Sequence, residues 1–357
     1  MSDAEGLELL FQHACEYKFS EFDSIFSTLE KSLPIDEFWE AYLLRMQIKL
    51  YAADETLVDD LKKTEAMDGV PRFPCLNHYW RCDTPNRLCV FSKAPGSLKA
   101  FLRALPQVEE GMRRWHGDIG GSMICQVQSE LLYFMGSFGE AIALAKTQRD
   151  VKRLNDTDTI CSLNVLFRCY LATGLTDEAE RCMLDMIELS KTKPECAAPY
   201  ESIRKWTDLT TGRGGDTPRY AGDPGGTAKP VFEDRLEAIR SGYALISPLE
   251  DPFVSYAEKQ YQDAVTMRQY YMNIFHMTYW FQVKDYRQTE SLFAQIFQVA
   301  AASGLTAPFA EYGKQIVPLL QHAKDSGIDC PDDWIDRIIA LAEQYEAGLN
   351  AYRSLSD

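Results

Sequence analysis

Leu131-Leu132-Tyr133-Phe134-Met135-Gly136-Ser137-Phe138-Gly139-Glu140-Ala141, Tyr170-Leu171-Ala172-Thr173-Gly174-Leu175-Thr176-Asp177-Glu178-Ala179 and Tyr279-Trp280-Phe281-Gln282-Val283-Lys284-Asp285-Tyr286-Arg287-Gln288-Thr289 follow one plan. In each, an apolar helix ends at a small or flexible residue, a short turn follows, and a second helix presents a small residue five positions on. Gly136 answers to Ala141 and Gly174 to Ala179, while a degraded third copy has Lys284 and Thr289 in those places. A helical hairpin of this size cannot bury its apolar face alone and must stack on neighbours. The expected fold is therefore all-α, a superhelix of hairpins that holds something rather than running a reaction.

Such a hairpin is the unit of a tetratricopeptide-like α-solenoid, and the rest of the chain extends the pattern in both directions. Residues 5–32 carry two short apolar-periodic stretches, with Phe22, Ile25, Phe26 and Leu29 at helical spacing before Pro34. A similar pair spans roughly 36–67. Between 69 and 96 the helical period vanishes among Gly69, Pro71, Pro74, Pro85, Pro95 and Gly96, yet the segment holds three cysteines and four aromatic residues. It reads as an ordered, irregular crossing, because flexible linkers carry few aromatic groups. Helices resume at Ser97, with Pro106 expected in the first turn of a second one that runs to Trp115. The two clear hairpins then fill 119–150 and 155–191, and another helix is expected at 197–209.

Residues 211–227 contain six glycines and two prolines, a composition that makes no regular element. The stretch 211–230 is thus expected to be a mobile loop dividing an N-terminal half, 1–210, from a C-terminal half, 231–357. Helices in the second half are expected at about 231–241, 254–267, 268–283, 286–303, 307–326 and 331–353, the last an amphipathic cap.

Hydrophobic residues at 46% and charged residues at 25% describe an ordinary folded protein. Thirty-seven Lys and Arg against fifty-three Asp and Glu leave a net charge of -16. That field repels phosphate backbones and anionic membranes, which argues against direct nucleic-acid or membrane binding. The acidic start, Met1-Ser2-Asp3-Ala4-Glu5-Gly6, does not read as a secretory signal, and no stretch is long and apolar enough to span a bilayer. Cys125, Cys161, Cys169 and Cys182 sit inside apolar helical runs, as reduced, buried thiols do. A cytoplasmic protein without structural disulfides is expected.

Three further segments carry a family resemblance. Ala94-Pro95-Gly96-Ser97-Leu98 and Trp115-His116-Gly117-Asp118-Ile119-Gly120 precede the first clear hairpin. Ala300-Ala301-Ala302-Ser303-Gly304-Leu305-Thr306-Ala307-Pro308-Phe309-Ala310-Glu311-Tyr312 leads into Ile316-Val317-Pro318-Leu319-Leu320. In this order, over about 92–190 and 268–325, the chain resembles the helical-repeat sensor region of large ATP-dependent LuxR-type transcription regulators, the class of the maltose regulator. The resemblance implies a surface that recognises a small-molecule inducer or a partner protein and relays this to self-association. Regulators of that family also carry a nucleotide-binding module and a DNA-binding helix-turn-helix. This chain contains no Gly-x-x-x-x-Gly-Lys-Ser/Thr phosphate cradle, and Leu355-Ser356-Asp357 stands where the DNA-binding module would begin. It is expected to be the sensor region alone, excised or separately encoded.

Candidate site residues follow from chemistry and position. His116 lies at a helix start within the resemblance, where a neutral imidazole can donate and accept; it serves a ligand pocket or satisfies a nearby backbone group. The stretch 268–281 is dense in aromatic and sulfur groups. One face must be core, and the other can present Tyr271, His276 or Tyr279 to a flat or aliphatic ligand. Cys75, His78, Cys82 and Cys89 concentrate metal-type ligands, but the six-residue gaps around Cys82 match no zinc-finger spacing. Their neighbours Phe73, Leu76, Tyr79 and Trp80 favour packed thiols over zinc. No nucleophile elbow or carboxylate pair stands out, so neither catalysis nor a cofactor is expected. The competing reading is a stand-alone tetratricopeptide-like scaffold that docks a segment of a partner protein.

Overall fold

The computed structural model describes residues 3–16, 18–78, 86–88, 90–92, 96–149, 155–211 and 264–355. Within them helix follows helix: α1 (Asp3–Cys15), α2 (Phe19–Leu29), α3 (Ile35–Tyr51), α4 (Leu57–Thr64), α5 (Ser97–Phe134), α6 (Phe138–Arg149), α7 (Asp156–Thr173), α8 (Thr176–Thr192) and α9 (Ala197–Thr211). After the segment 212–263 come α10 (Met267–Gln282), α11 (Tyr286–Ser303), α12 (Ala307–Ala310), α13 (Val317–Asp325) and α14 (Asp332–Ser354). The described residues are thus all-helical apart from one short ribbon. The glycine-rich stretch from 212 on and the helix expected at 231–241 lie outside the described residues.

One turn geometry joins the hairpins. After α5, the N–H of Gly136 donates to the carbonyl of Tyr133 at 2.8 Å and that of Ser137 to Leu132 at 2.9 Å. Gly174 and Leu175 repeat the pair after α7, and Lys284 and Asp285 after α10, at 3.0 and 2.9 Å. This crossed pair closes a helix only if the residue between takes a left-handed backbone. Gly136 and Gly174 do so at φ of 74° and 73°, and Lys284 does so at 62° without the freedom of glycine. The degraded third copy therefore keeps the hairpin geometry at a conformational cost. Its small-residue position is also kept: Thr289 is buried like Ala141 and Ala179, and its hydroxyl donates to the carbonyl of Asp285 at 2.9 Å.

Three expectations change. Pro106 does not begin a helix; it lies inside α5, and the one break falls at Gly117, between the expected helix end at Trp115 and the hairpin expected from 119, where φ of 61° and ψ of -143° interrupt the helical path. Loss of one N–H and some crowding at a proline are tolerated here, whereas Gly117 leaves helical backbone outright. The end of the helix expected at 254–267 is instead a strand: β2 (Ala264–Thr266) pairs antiparallel with β1 (Val90–Ser92), Phe91 opposite Val265. Branched Val265 and Thr266 favour that extended path. The stretch 307–326 is divided into α12, a single 3-10 turn at Gly313–Gln315, and α13. Pro308 and Pro318 each occupy the opening turn of their helix, and a proline's missing N–H makes a restart cheaper than an uninterrupted run.

Consecutive helices pack side by side from α5 to α8, and α14 then returns to lie on α7, α8 and α9. It covers both clear hairpin turns. Arg337 donates to the carbonyl of Met135 at 2.8 Å, Leu341 lies over Gly136, and Gly348 sits so close to α7 that an added Cβ would fall 1.8 Å from the Leu171 carbonyl oxygen. The irregular crossing is held from below by buried polar side chains. Glu40 accepts from the N–H of Arg72, Gln47 from that of Leu76, and Glu130 from those of Arg87 and Leu88. A segment with no ladder of its own must find such partners to be buried at all.

Two substitutions test these contacts. Lys284→Gly removes a left-handed cost of roughly 1–2 kcal/mol against about 0.5–1 kcal/mol of added chain entropy, so the urea midpoint should rise modestly. Gly348→Ala meets backbone that cannot step aside, and unfolding should show a loss of roughly 1–3 kcal/mol.

Candidate functional site

Helix α10 has two unlike faces. Tyr270, Tyr271, Ile274, Phe275, Met277 and Thr278 are buried. His276, Tyr279, Trp280 and Val283, at i, i+3, i+4 and i+7, form a second stripe that is half-buried or exposed. Val283 is 43% exposed and the neighbouring Tyr286 42%. Around the turn the rings continue: Tyr279 lies 5.1 Å from Trp280, Phe281 5.8 Å from Tyr286, and Tyr286 lies 4.6 Å from the His322 ring at an interplanar angle of 31°. His322 Nε2 stands 3.1 Å from a Glu290 carboxylate oxygen. An apolar stripe edged by an imidazole, phenols and an indole suits a flat or aliphatic ligand, or an apolar helix of a partner. His276 and Tyr279 fall on this stripe.

Tyr271 falls on the other face, in a buried ionic cluster. Arg168 of α7 and Glu311, just after α12, form an ion pair with side chains 2% and 0% exposed. The Arg168 guanidinium is boxed by rings, 4.2 Å from the centroid of Tyr133, 5.0 Å from Trp206 and 5.5 Å from Phe134. Arg168 also donates to the Tyr271 hydroxyl at 2.7 Å, and that hydroxyl donates to Glu311 Oε1 at 2.9 Å. Tyr133 donates to the same oxygen at 2.6 Å, and Trp206 Nε1 donates to Oε2 at 3.3 Å. With its own proton committed to Glu311, Tyr133 accepts from Tyr345 at 3.2 Å. Burial raises the Tyr133 and Tyr271 phenols well above their usual range, with Arg168 pulling the other way, so both remain donors at every physiological pH. Helices α5, α7, α9 and α10 all meet at one carboxylate, and α14 joins them through the Tyr133 hydroxyl.

The remaining candidates are dispersed. His116 is half-buried immediately before the break at Gly117. Cys75 is buried with its thiol 3.6 Å from the Met123 sulfur, and burial pushes its pKa up to about 12, which keeps it protonated and unsuited to hold a cation. Cys82, Cys89 and the His78 side chain lie outside the described residues. Among the described residues no three metal-type ligands come together. The Glu109 and Arg113 side chains pair at 2.8 Å as a laced solvent face.

Sequence reasoning did not single out Arg168, Glu311 or Glu130. The available signal was a charge set inside an apolar run, as in Leu166-Phe167-Arg168-Cys169-Tyr170-Leu171, since such a charge must find a buried partner.

Removing one partner of the pair should cost far more than removing both. Arg168→Met and Glu311→Leu singly each leave a buried charge uncompensated and should lose about 3–5 kcal/mol, whereas the double substitution recovers most of that loss in urea unfolding. These readings come from the chain itself, for no protein-family model matches it and no curated protein does either.

Proposed function

We propose that this chain is the ligand- or partner-sensing helical-repeat region of a LuxR-type transcription regulator, a tetratricopeptide-like solenoid that makes and breaks no bond. The observation that carries the reading is the half-exposed stripe of His276, Tyr279, Trp280 and Val283 on a helix whose opposite face is locked into the core. A folded protein seldom leaves such rings together at its surface without a use for them. They belong to the hairpin in which Lys284 and Thr289 replaced glycine and alanine, so the divergence from the repeat and the aromatic load coincide.

Recognition on this stripe reaches the interior through α10 itself, because Tyr271 on its other face bonds to Arg168 and Glu311. A ligand that prefers one seating of α10 shifts the balance between two seatings of that helix about the cluster, and that shift alters self-association. The net charge of -16 directs such contacts away from nucleic acid. No helix among the described residues is long and apolar enough to cross a membrane, which agrees with a regulator working in the cytoplasm.

The test is thermal unfolding against sugars, amino-acid derivatives and phenolic compounds. One class should raise the melting temperature by a few degrees, and Trp280→Ala should abolish that rise without lowering the melting temperature of the unliganded protein. A flat response, with a partner protein captured through the same stripe, would establish the scaffold reading instead. A flat response with no partner would remove both.

A further inference from the structure

Glu130 projects from α5 beneath the irregular crossing and is 1% exposed. Its Oε2 accepts from the N–H of Leu88 at 2.7 Å, the N–H of Arg87 bridges Oε1 at 2.8 Å and Oε2 at 2.9 Å, and Oε1 lies 2.5 Å from the amide nitrogen of Gln126. Two features of this arrangement do not suit a carboxylate. Among the described residues the cation that acts on it, the Arg87 guanidinium, pairs with Asp158 of α7 at 2.8 Å and makes no ion pair with Glu130. Gln126 Oε1 is buried with no hydrogen-bond partner among the described residues. Turning that amide by half a rotation exchanges its oxygen and nitrogen and leaves one amide atom unpartnered in either position. It places a carbonyl oxygen 2.5 Å from Glu130 Oε1, a separation suited to O–H···O and short for N–H···O.

We propose that Glu130 is a proton-controlled clasp on the crossing: the neutral acid donates its proton to Gln126 while holding the Arg87 and Leu88 N–H groups, and loss of that proton loosens the crossing from α5. An ionised Glu130 would be a buried charge without its own counter-ion, and lifting the crossing admits the water that solvates it. Among the described residues the charged groups that face it are Arg87 from the crossing and, behind Arg87, Asp158 from α7, whose other oxygen takes the Asn77 amide.

Burial pushes the Glu130 carboxyl up to about 7, against the opposing pull of Leu88, Gln126 and Arg87. A folded value above the unfolded one means the clasp is fully effective below about 4.5 and is lost as pH rises through about 7. The clasp is also placed to matter. Leu88 stands two residues before β1, β1 pairs with β2, and β2 runs directly into α10. The proton would thus govern the seating of α10 whatever that helix binds.

Amide hydrogen exchange of Arg87 and Leu88, corrected for intrinsic base catalysis, tests the clasp. Wild-type protection should fall roughly 30-fold between pH 5.5 and 8. Glu130→Gln mimics the neutral acid, with an N–H in place of the O–H, and should hold its protection constant across that range. Infrared spectroscopy provides a measurement on the unaltered protein: a protonated carboxyl band present at pH 6 should disappear by pH 8.5. Wild-type protection that stays flat or rises with pH, or absence of that band at pH 6, overturns the proposal.

Discussion

A single carboxylate, Glu311, decides where the second half of this chain lies against the first. It arrives from the turn after α12 and finds Arg168 on α7, with Tyr133, Tyr271 and Trp206 supplying the remaining donors. Burying both charges is expensive, and the donors gathered on Glu311 offset the lost water although Arg168 Nε has no hydrogen-bond partner among the described residues. The need for those donors is what gives the cluster its specificity. A displaced α10 or α9 would withdraw a donor from an oxygen that has no access to solvent, whereas a displaced leucine would merely repack. The rings around Arg168 add cation–π attraction where no water competes.

The same cluster sets this fold apart from a simple array of repeats. In an open solenoid each hairpin touches only its neighbours, and a disturbance fades along the stack. Here α14 returns across α7, α8 and α9, and its Tyr345 joins the Tyr133 hydroxyl. The glycine at 348 allows the backbones to approach, the Arg337 guanidinium caps the Met135 carbonyl, and both clear hairpin turns lie under one helix. Elements distant in sequence are thereby brought into mechanical contact.

What could be read from the sequence was governed by local physics. Gly136 and Gly174 announced helix ends because a left-handed turn needs a residue without a Cβ, and even Lys284 was recognisable by its place in the pattern. The outward position of His276 and Tyr279 was readable as one of two faces of α10, but spacing alone did not decide which face held Tyr271. Long-range partnership was out of reach. Nothing local to Arg168 names Glu311, and nothing near Val265 names Phe91. Pro106 shows the converse difficulty, since a strong local signal was overridden by the packing of a long helix, while the boundary expected between Trp115 and residue 119 is kept as the break at Gly117.

The two buried polar networks make opposite demands, and the difference bears on how α10 can move. At Glu311 a guanidinium and three ring donors converge on the carboxylate, so its charge is matched and the site favours one arrangement. At Glu130 the donors are neutral amides and the adjacent guanidinium pairs with Asp158, so burial outweighs the pull of Arg87 and the site favours a proton. Helix α10 stands between them, bonded to the first through Tyr271 and continuous with the second through β2 and β1. A surface tied to one fixed anchor and one adjustable anchor can move about the fixed one without unfolding. That is the mechanical condition for a binding event at Tyr279 and Trp280 to be felt elsewhere in the chain.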